Sequence, residues 1–204
     1  MENLVKLRET LKALQDKLGA IKKGPLSDCF GMLFNDSTWT LEALSHYYDV
    51  WNRPTAGIPN DEIELSRGEN GERVREVTKW LFVSVISHIE FAIRQYTRSE
   101  AAFKRLYARK EPVSLRKMIG KSATLSPPLT DRKLLDQWNC LLDIRNTVVH
   151  NNGIADRDAV QDVAGMPVHF KANTMMRGDL RFFPHLTTSA IDLFASWAEK
   201  ALRA

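Results

Sequence analysis

The chain has 204 residues, with 29 Lys and Arg against 25 Asp and Glu for a net charge of +4, and 44% of its residues are apolar. That balance excludes a disordered or fibrous chain and suits one globular domain with a sizeable core. Cys29 and Cys140 stand far apart with no Cys/His pattern around them, which speaks against a disulfide framework or a zinc site and fits a reducing cytoplasm.

Charges interrupt every apolar pair at the N-terminus, so no secretory leader is expected there. The longest apolar run, residues 80–86, is broken by Ser84 and falls far short of the ~20 residues of a membrane span. Leu4, Leu7, Leu11, Leu14, Leu18 and Ile21 step by threes and fours, which predicts an amphipathic helix over residues 1–23 packed either on the chain's own bundle or on a dimer partner. Residues 24–204 then form the main domain, the whole reading as a single domain. Phe30, Leu33, Phe34, Leu41, Leu44 and Tyr48 predict a second helix over residues 28–51. The polar, turn-rich residues 55–72 read as a connection with a short strand at 62–65.

Residues 73–106 hold no Pro or Gly and are nearly apolar in their middle, which predicts the central buried helix. His88 and Glu90 are its conspicuous polar residues, each either a satisfied group beside the core or, for Glu90, a support for a polar cleft. Residues 98–121 carry eight basic residues against two acidic ones, a net charge of +6. Arg98, Lys104, Arg105, Arg109 and Lys110, interleaved with Tyr96, Phe103 and Tyr107, suit a phosphate backbone flanked by stackable bases, or else a solvated helical face.

Asp131 is placed to cap a helix over residues 133–149, stopped by His150-Asn151-Asn152-Gly153. A short helix is expected near residues 156–163. A β-hairpin should follow, pairing the alternating Val168, Phe170 and Ala172 with residues 180–183 across a Gly178-Asp179 turn. Residues 187–202 read as the closing amphipathic helix, and Arg177-Gly178-Asp179 reads as a turn.

Reactive residue types meet a definite geometry at the end of the fifth helix, Arg145-Asn146-Thr147-Val148-Val149-His150. At ~100° per residue, Asn146 and His150 share a face, and Arg145 sits about 140° around from His150. A guanidinium offers forked, permanently charged donors to phosphate, and an imidazole exchanges a proton near neutral pH. In RNA the adjacent 2′-hydroxyl is the nucleophile. A base to deprotonate it, an acid for the leaving 5′-oxygen and a cation for the phosphorane then suffice. One His does not conveniently serve both as base and acid, but two copies of the helix end across a two-fold axis supply both.

The string RNTVVH resembles the R-(N)-x-x-x-H signature of the HEPN superfamily of all-α domains, and the looser helical pattern carries the resemblance over roughly residues 73–152. The resemblance implies an all-α, HEPN-like helical bundle, here with a small β-hairpin near the C-terminus. It also implies a homodimer and a metal-independent endoribonuclease without cofactors, leaving 2′,3′-cyclic phosphate and 5′-hydroxyl ends. Arg145 would bind phosphate, Asn146 would orient the site and His150 would act as acid or base. Such proteins serve as toxins or phage-defence effectors, with RNA as substrate and an antitoxin or regulatory protein as a further partner. Others of the superfamily are inactive, so a non-catalytic RNA- or nucleotide-binding module and a dimerisation protein stand as alternatives. Some HEPN toxins carry a modified Tyr two residues after the His; Asn152 stands there in this chain, which does not support that antitoxin mechanism.

Overall fold

The computed structural model describes residues 2–21, 24–52, 55–100, 103, 114–176 and 178–203. It is mostly helical, with one small antiparallel hairpin. The chain order is α1 (Glu2–Ile21), α2 (Pro25–Trp51), α3 (Asn60–Ser99), α4 (Leu115–Ser122), α5 (Arg132–His150), β1 (Ala159–Val163), β2 (Met166–Phe170) and α6 (Phe182–Arg203). No helix among the described residues is long and apolar enough to cross a membrane.

Local chemistry sets the helix ends. Pro25 takes the first position of α2, where its missing N–H costs nothing, and Ser27 Oγ bonds reciprocally with the Gly24 backbone, so α2 starts three residues earlier than residue 28. The strand expected at 62–65 does not form. These residues lie in the first turns of α3, where Asp61 and Glu62 favour the positive end of the helix dipole. Asn70 Nδ2 donates to the Ser66 carbonyl and Arg73 pairs with Glu69, ties that carry the helix past Gly68 and Gly71. At the other end Glu100 is extended (φ −85°, ψ 130°), so α3 stops at Ser99 rather than near residue 106.

The hairpin also sits elsewhere than expected. Residues 159–163 form β1 instead of a helix, and they pair with β2 in the register Ala159↔Phe170 to Val163↔Met166. The connecting Ala164 and Gly165 have φ of 49° and 86°, a two-residue turn whose twist matches that of the strands. Residues 180–183 instead lead into α6, where Phe182 and Phe183 are buried. Gly178 admits no side chain, because a Cβ there would collide with the Phe182 ring.

The core lies where α6 meets α2, α3 and α4. Phe194 stacks on Phe30 of α2 at 4.9 Å, and Trp197 packs edge-on to Tyr96 of α3 at 6.1 Å. Phe103 completes that aromatic cluster. Two buried hydrogen bonds fasten it: Trp197 Nε1 donates to Ser122 Oγ (2.9 Å) and the Tyr96 hydroxyl to the Ala201 carbonyl (2.6 Å). Tyr96 and Phe103 are therefore committed to the core and offer nothing to a nucleic-acid base, while Tyr107 falls outside the described residues. Leu7 and Leu11 of α1 belong to the same buried cluster, and Leu14 packs against it. The side chains of Leu4, Leu18 and Ile21 fall outside those described.

Trp197→Phe removes one buried hydrogen bond and some volume, and should lower unfolding free energy in urea by about 1–2 kcal/mol. Trp39→Ala, at a residue 65% exposed, should change it by less than about 0.5 kcal/mol. Cys29 and Cys140 are free, buried thiols. Burial, reinforced by Asp36, holds Cys29 well above the usual thiol range, and burial, reinforced by Asp143 and Asp162, pushes Cys140 up to about 12. Above the ordinary thiol value of ~8.5 the unfolded chain releases these protons and the folded chain keeps them. Stability should therefore fall as pH rises from about 8.5 towards 12, and Cys140→Ala should flatten that slope in urea titrations at successive pH values.

Candidate functional site

Helix α5 begins at Asp131, whose carboxylate accepts the Leu134 N–H at 2.9 Å. One face of the helix, with Trp138, Leu141 and Ile144, is buried. The 3.6-residue period puts Asp143, Asn146, Thr147 and His150 on another, which lines a pocket of about 190 Å³.

Asp143 is the hub of this face. It accepts from Arg116 of α4, from Arg157 Nη2 at 2.9 Å and from Gln161 Nε2 of β1 at 3.4 Å. A single carboxylate thereby joins α4, α5 and the hairpin region. Just beyond it, Arg145 reaches around the helix. Its Nη1 lies 3.1 Å from Asn146 Oδ1 and 3.3 Å from His150 Nε2. Arginine only donates, so in this contact Nε2 faces the guanidinium as the acceptor. Arg145 Nε is buried without a partner, while Asn146 and His150 are exposed.

The second wall is made by the chain after α5. Asn152 (φ 51°) and Gly153 (φ 82°) turn it back, and the Thr147 carbonyl accepts from both Asn151 N and Gly153 N. Residues 153–155 are then tied to 173–176 by backbone bonds between Ala155 N and Thr174 O, Asn173 N and Ala155 O, and Met176 N and Gly153 O. Asp158 adds a bond to the Ala172 N–H. This frame brings Asp156, Arg157 and Phe170 to the pocket that Asn146 and His150 also line.

Three residues picked out in sequence, Arg145, Asn146 and His150, thus meet. Glu90 is held instead by Arg94, one turn along α3, at 2.6 Å, and no hydrogen bond among the described residues joins it to the α5 rim. Arg98 is exposed in the last turn of α3. Lys104, Arg105, Arg109 and Lys110 lie outside the described residues. Sequence reasoning missed Asp143, Asp156 and Arg157, and counted Arg116 only within the basic run of residues 98–121. Asp143 was within reach, since it stands seven residues before His150 on the same face; Asp156 and Arg157 were hidden by the helix expected there.

A larger cavity of about 780 Å³ lies between α1, α2, α3 and α6, with Leu7, Leu44 and Val74 beside Lys6, His185 and Asp192. Burial raises the Asp192 carboxyl above its usual range. His185 is committed to the Val163 carbonyl at 2.9 Å, so this cavity shows no counterpart to the Arg145–His150 contact. Comparisons of the chain with family models, curated proteins and solved structures gave no match.

Arg116 and Arg157 are 44% and 62% exposed, so each pair with Asp143 is solvent-screened and contributes at most about 1 kcal/mol. Asp143→Ala should lower stability by about 1 kcal/mol in low salt, and urea titrations in molar salt should show most of that loss gone.

Proposed function

We propose that this protein is a HEPN-like, metal-independent endoribonuclease that works as a cytoplasmic homodimer, in the manner of a toxin or phage-defence effector. The observation that carries the reading is the contact of Arg145 Nη1 with both Asn146 Oδ1 and His150 Nε2 on an exposed pocket rim. The residue types needed for RNA transesterification stand together at one helix end.

The chemistry follows from the donors and acceptors. A phosphate placed at the rim competes for the Arg145 guanidinium through charge-assisted hydrogen bonds. As Arg145 turns to phosphate, the Nε2 lone pair of His150 is released and takes the proton of the 2′-hydroxyl. The 2′-oxygen attacks phosphorus, the bond to the 5′-oxygen breaks, and the protonated His150 of the second protomer gives its proton to that leaving oxygen. Arg145 of each protomer stabilises the charge on the phosphorane. The products are a 2′,3′-cyclic phosphate and a 5′-hydroxyl. Asn146 keeps the guanidinium aligned with the imidazole by accepting from Nη1.

The test is cleavage of a mixed RNA in EDTA by the full chain. His150→Ala and Arg145→Ala should each reduce the rate ~10²-fold or more while leaving helicity and oligomeric mass unchanged, since His150 is exposed and Arg145 lies on the rim. Cleavage unchanged in both variants, or absent from the folded wild type, contradicts the reading. Salt-dependent RNA binding without cleavage would instead mark a binding module.

A further inference from the structure

The pocket beside the Arg145–His150 rim has a charge pattern that phosphate does not match. Asp143, Asp156 and the Arg157 guanidinium line it, and with Arg116 behind Asp143 its charges balance. Asp143 is neutralised by Arg116 and Arg157, but Asp156 makes no hydrogen bond or ion pair with the described residues. A phosphate entering the pocket would meet that unpaired negative charge, whereas the rim outside it presents Arg145. The interior therefore suits a neutral group that is rich in hydrogen-bond donors.

Its other features narrow the class. At about 190 Å³ the pocket is smaller than the cavities that hold drug-sized ligands and fits one nucleobase. Phe170 of β2 supplies an apolar wall, and the Asn146 and Asn151 amides supply both donors and acceptors. Single-stranded RNA is read in this way, by the edges of splayed bases against protein polar groups and apolar walls. Guanine presents N1–H and N2–H side by side, a pair of donors that matches the two oxygens of a carboxylate. Uracil places carbonyls on both sides of its single N–H, and adenine and cytosine each place a ring acceptor beside their amine. All three are poorer matches to Asp156.

We propose that the pocket between the end of α5 and the hairpin region holds a guanine base next to the scissile phosphate. Asp156 accepts from N1 and N2 while Asn146 and Asn151 face the acceptor edge, and cleavage consequently falls at guanosines. The base-binding part rests on the pocket alone; the cleavage preference rests on the nuclease reading above. The residues after α5 and the hairpin are on this account the element that gives the site its sequence preference.

The experiment pairs binding with cleavage, using the full chain and its Asp156→Asn and Asp156→Ala variants. Asp156 is exposed, so both variants should fold. Titration with the four nucleoside 5′-monophosphates, followed by NMR, should show GMP binding roughly 5- to 150-fold more tightly than UMP, the discrimination of one good bidentate pair. Both variants should lose that preference while still binding through the rim. End-mapping of cleaved mixed RNA should show guanosine enriched beside the cut for the wild type, and the enrichment gone in Asp156→Ala. Equal binding of all four nucleotides, or a GMP preference that survives both substitutions, overturns the proposal. His150-dependent cleavage with no base preference overturns it too and leaves the nuclease reading standing. GMP selectivity without cleavage upholds the pocket and removes the nuclease.

Discussion

The aromatic face of α6 is the constraint from which the arrangement follows. Phe194 and Trp197 are fully buried and reach Phe30 of α2, Tyr96 of α3 and Phe103, while the Trp197 indole is hydrogen-bonded to Ser122 at the end of α4. Three helices distant in sequence are registered against one. A buried indole N–H without its acceptor would lose the desolvation cost of a polar group, so the Ser122 bond fixes where α4 ends as well as where α6 lies. Once α4 is fixed, Arg116 is brought to Asp143 and α5 has its neighbour.

On that scaffold, α5 divides its circumference between hydrocarbon and polar chemistry. Trp138, Leu141 and Ile144 are buried, and the stripe of Asp143, Asn146 and His150 lines the pocket. Asp143 is the structural end of the stripe, tying it to α4 and the hairpin region. At the other end is Arg145, whose long side chain crosses the 140° that separates its backbone position from that of His150 and ends beside the imidazole. A helix end alone supplies half of a pocket. The left-handed pair Asn152 and Gly153 sends the chain back alongside to supply the other half.

Much of this was legible in the sequence, and the parts that were not have physical reasons. Helix α5 was read to within one residue at each end, because a capping Asp131, a continuous apolar period and an Asn-Gly stop all agreed. The meeting of Arg145, Asn146 and His150 was legible from chemistry and helical spacing. The first turns of α3 were not, because their stabilisation comes from helix-surface ties such as Asn70 to Ser66 rather than from an apolar stripe. The hairpin was displaced because its turn is Ala164-Gly165, without the Asn-Gly or Asp-Gly that marks such turns, while Phe182-Phe183 looked like strand and proved to be the buried start of α6. Tyr96 and Phe103 stand beside a basic run that suits either stacked bases or a solvated face, and only tertiary contact with Trp197 commits them to the core. Asp156 reaches the pocket that α5 lines through chain reversal and backbone bonding to residues 173–176, a long-range relation that no local pattern records.

The proposed cleavage needs two helix ends on one phosphate, and the distance between them tests that need. A spin label attached at Asn151→Cys sits one residue beyond His150, and the native thiols are buried and out of the label's reach. Pulsed dipolar measurement on this variant should give one narrow distribution at the short end of the accessible range, the signature of two rims facing each other across a two-fold axis. Absence of dipolar coupling, or a distance comparable with the width of the whole molecule, would mean that each Arg145–His150 rim stands alone, and the shared site would be contradicted.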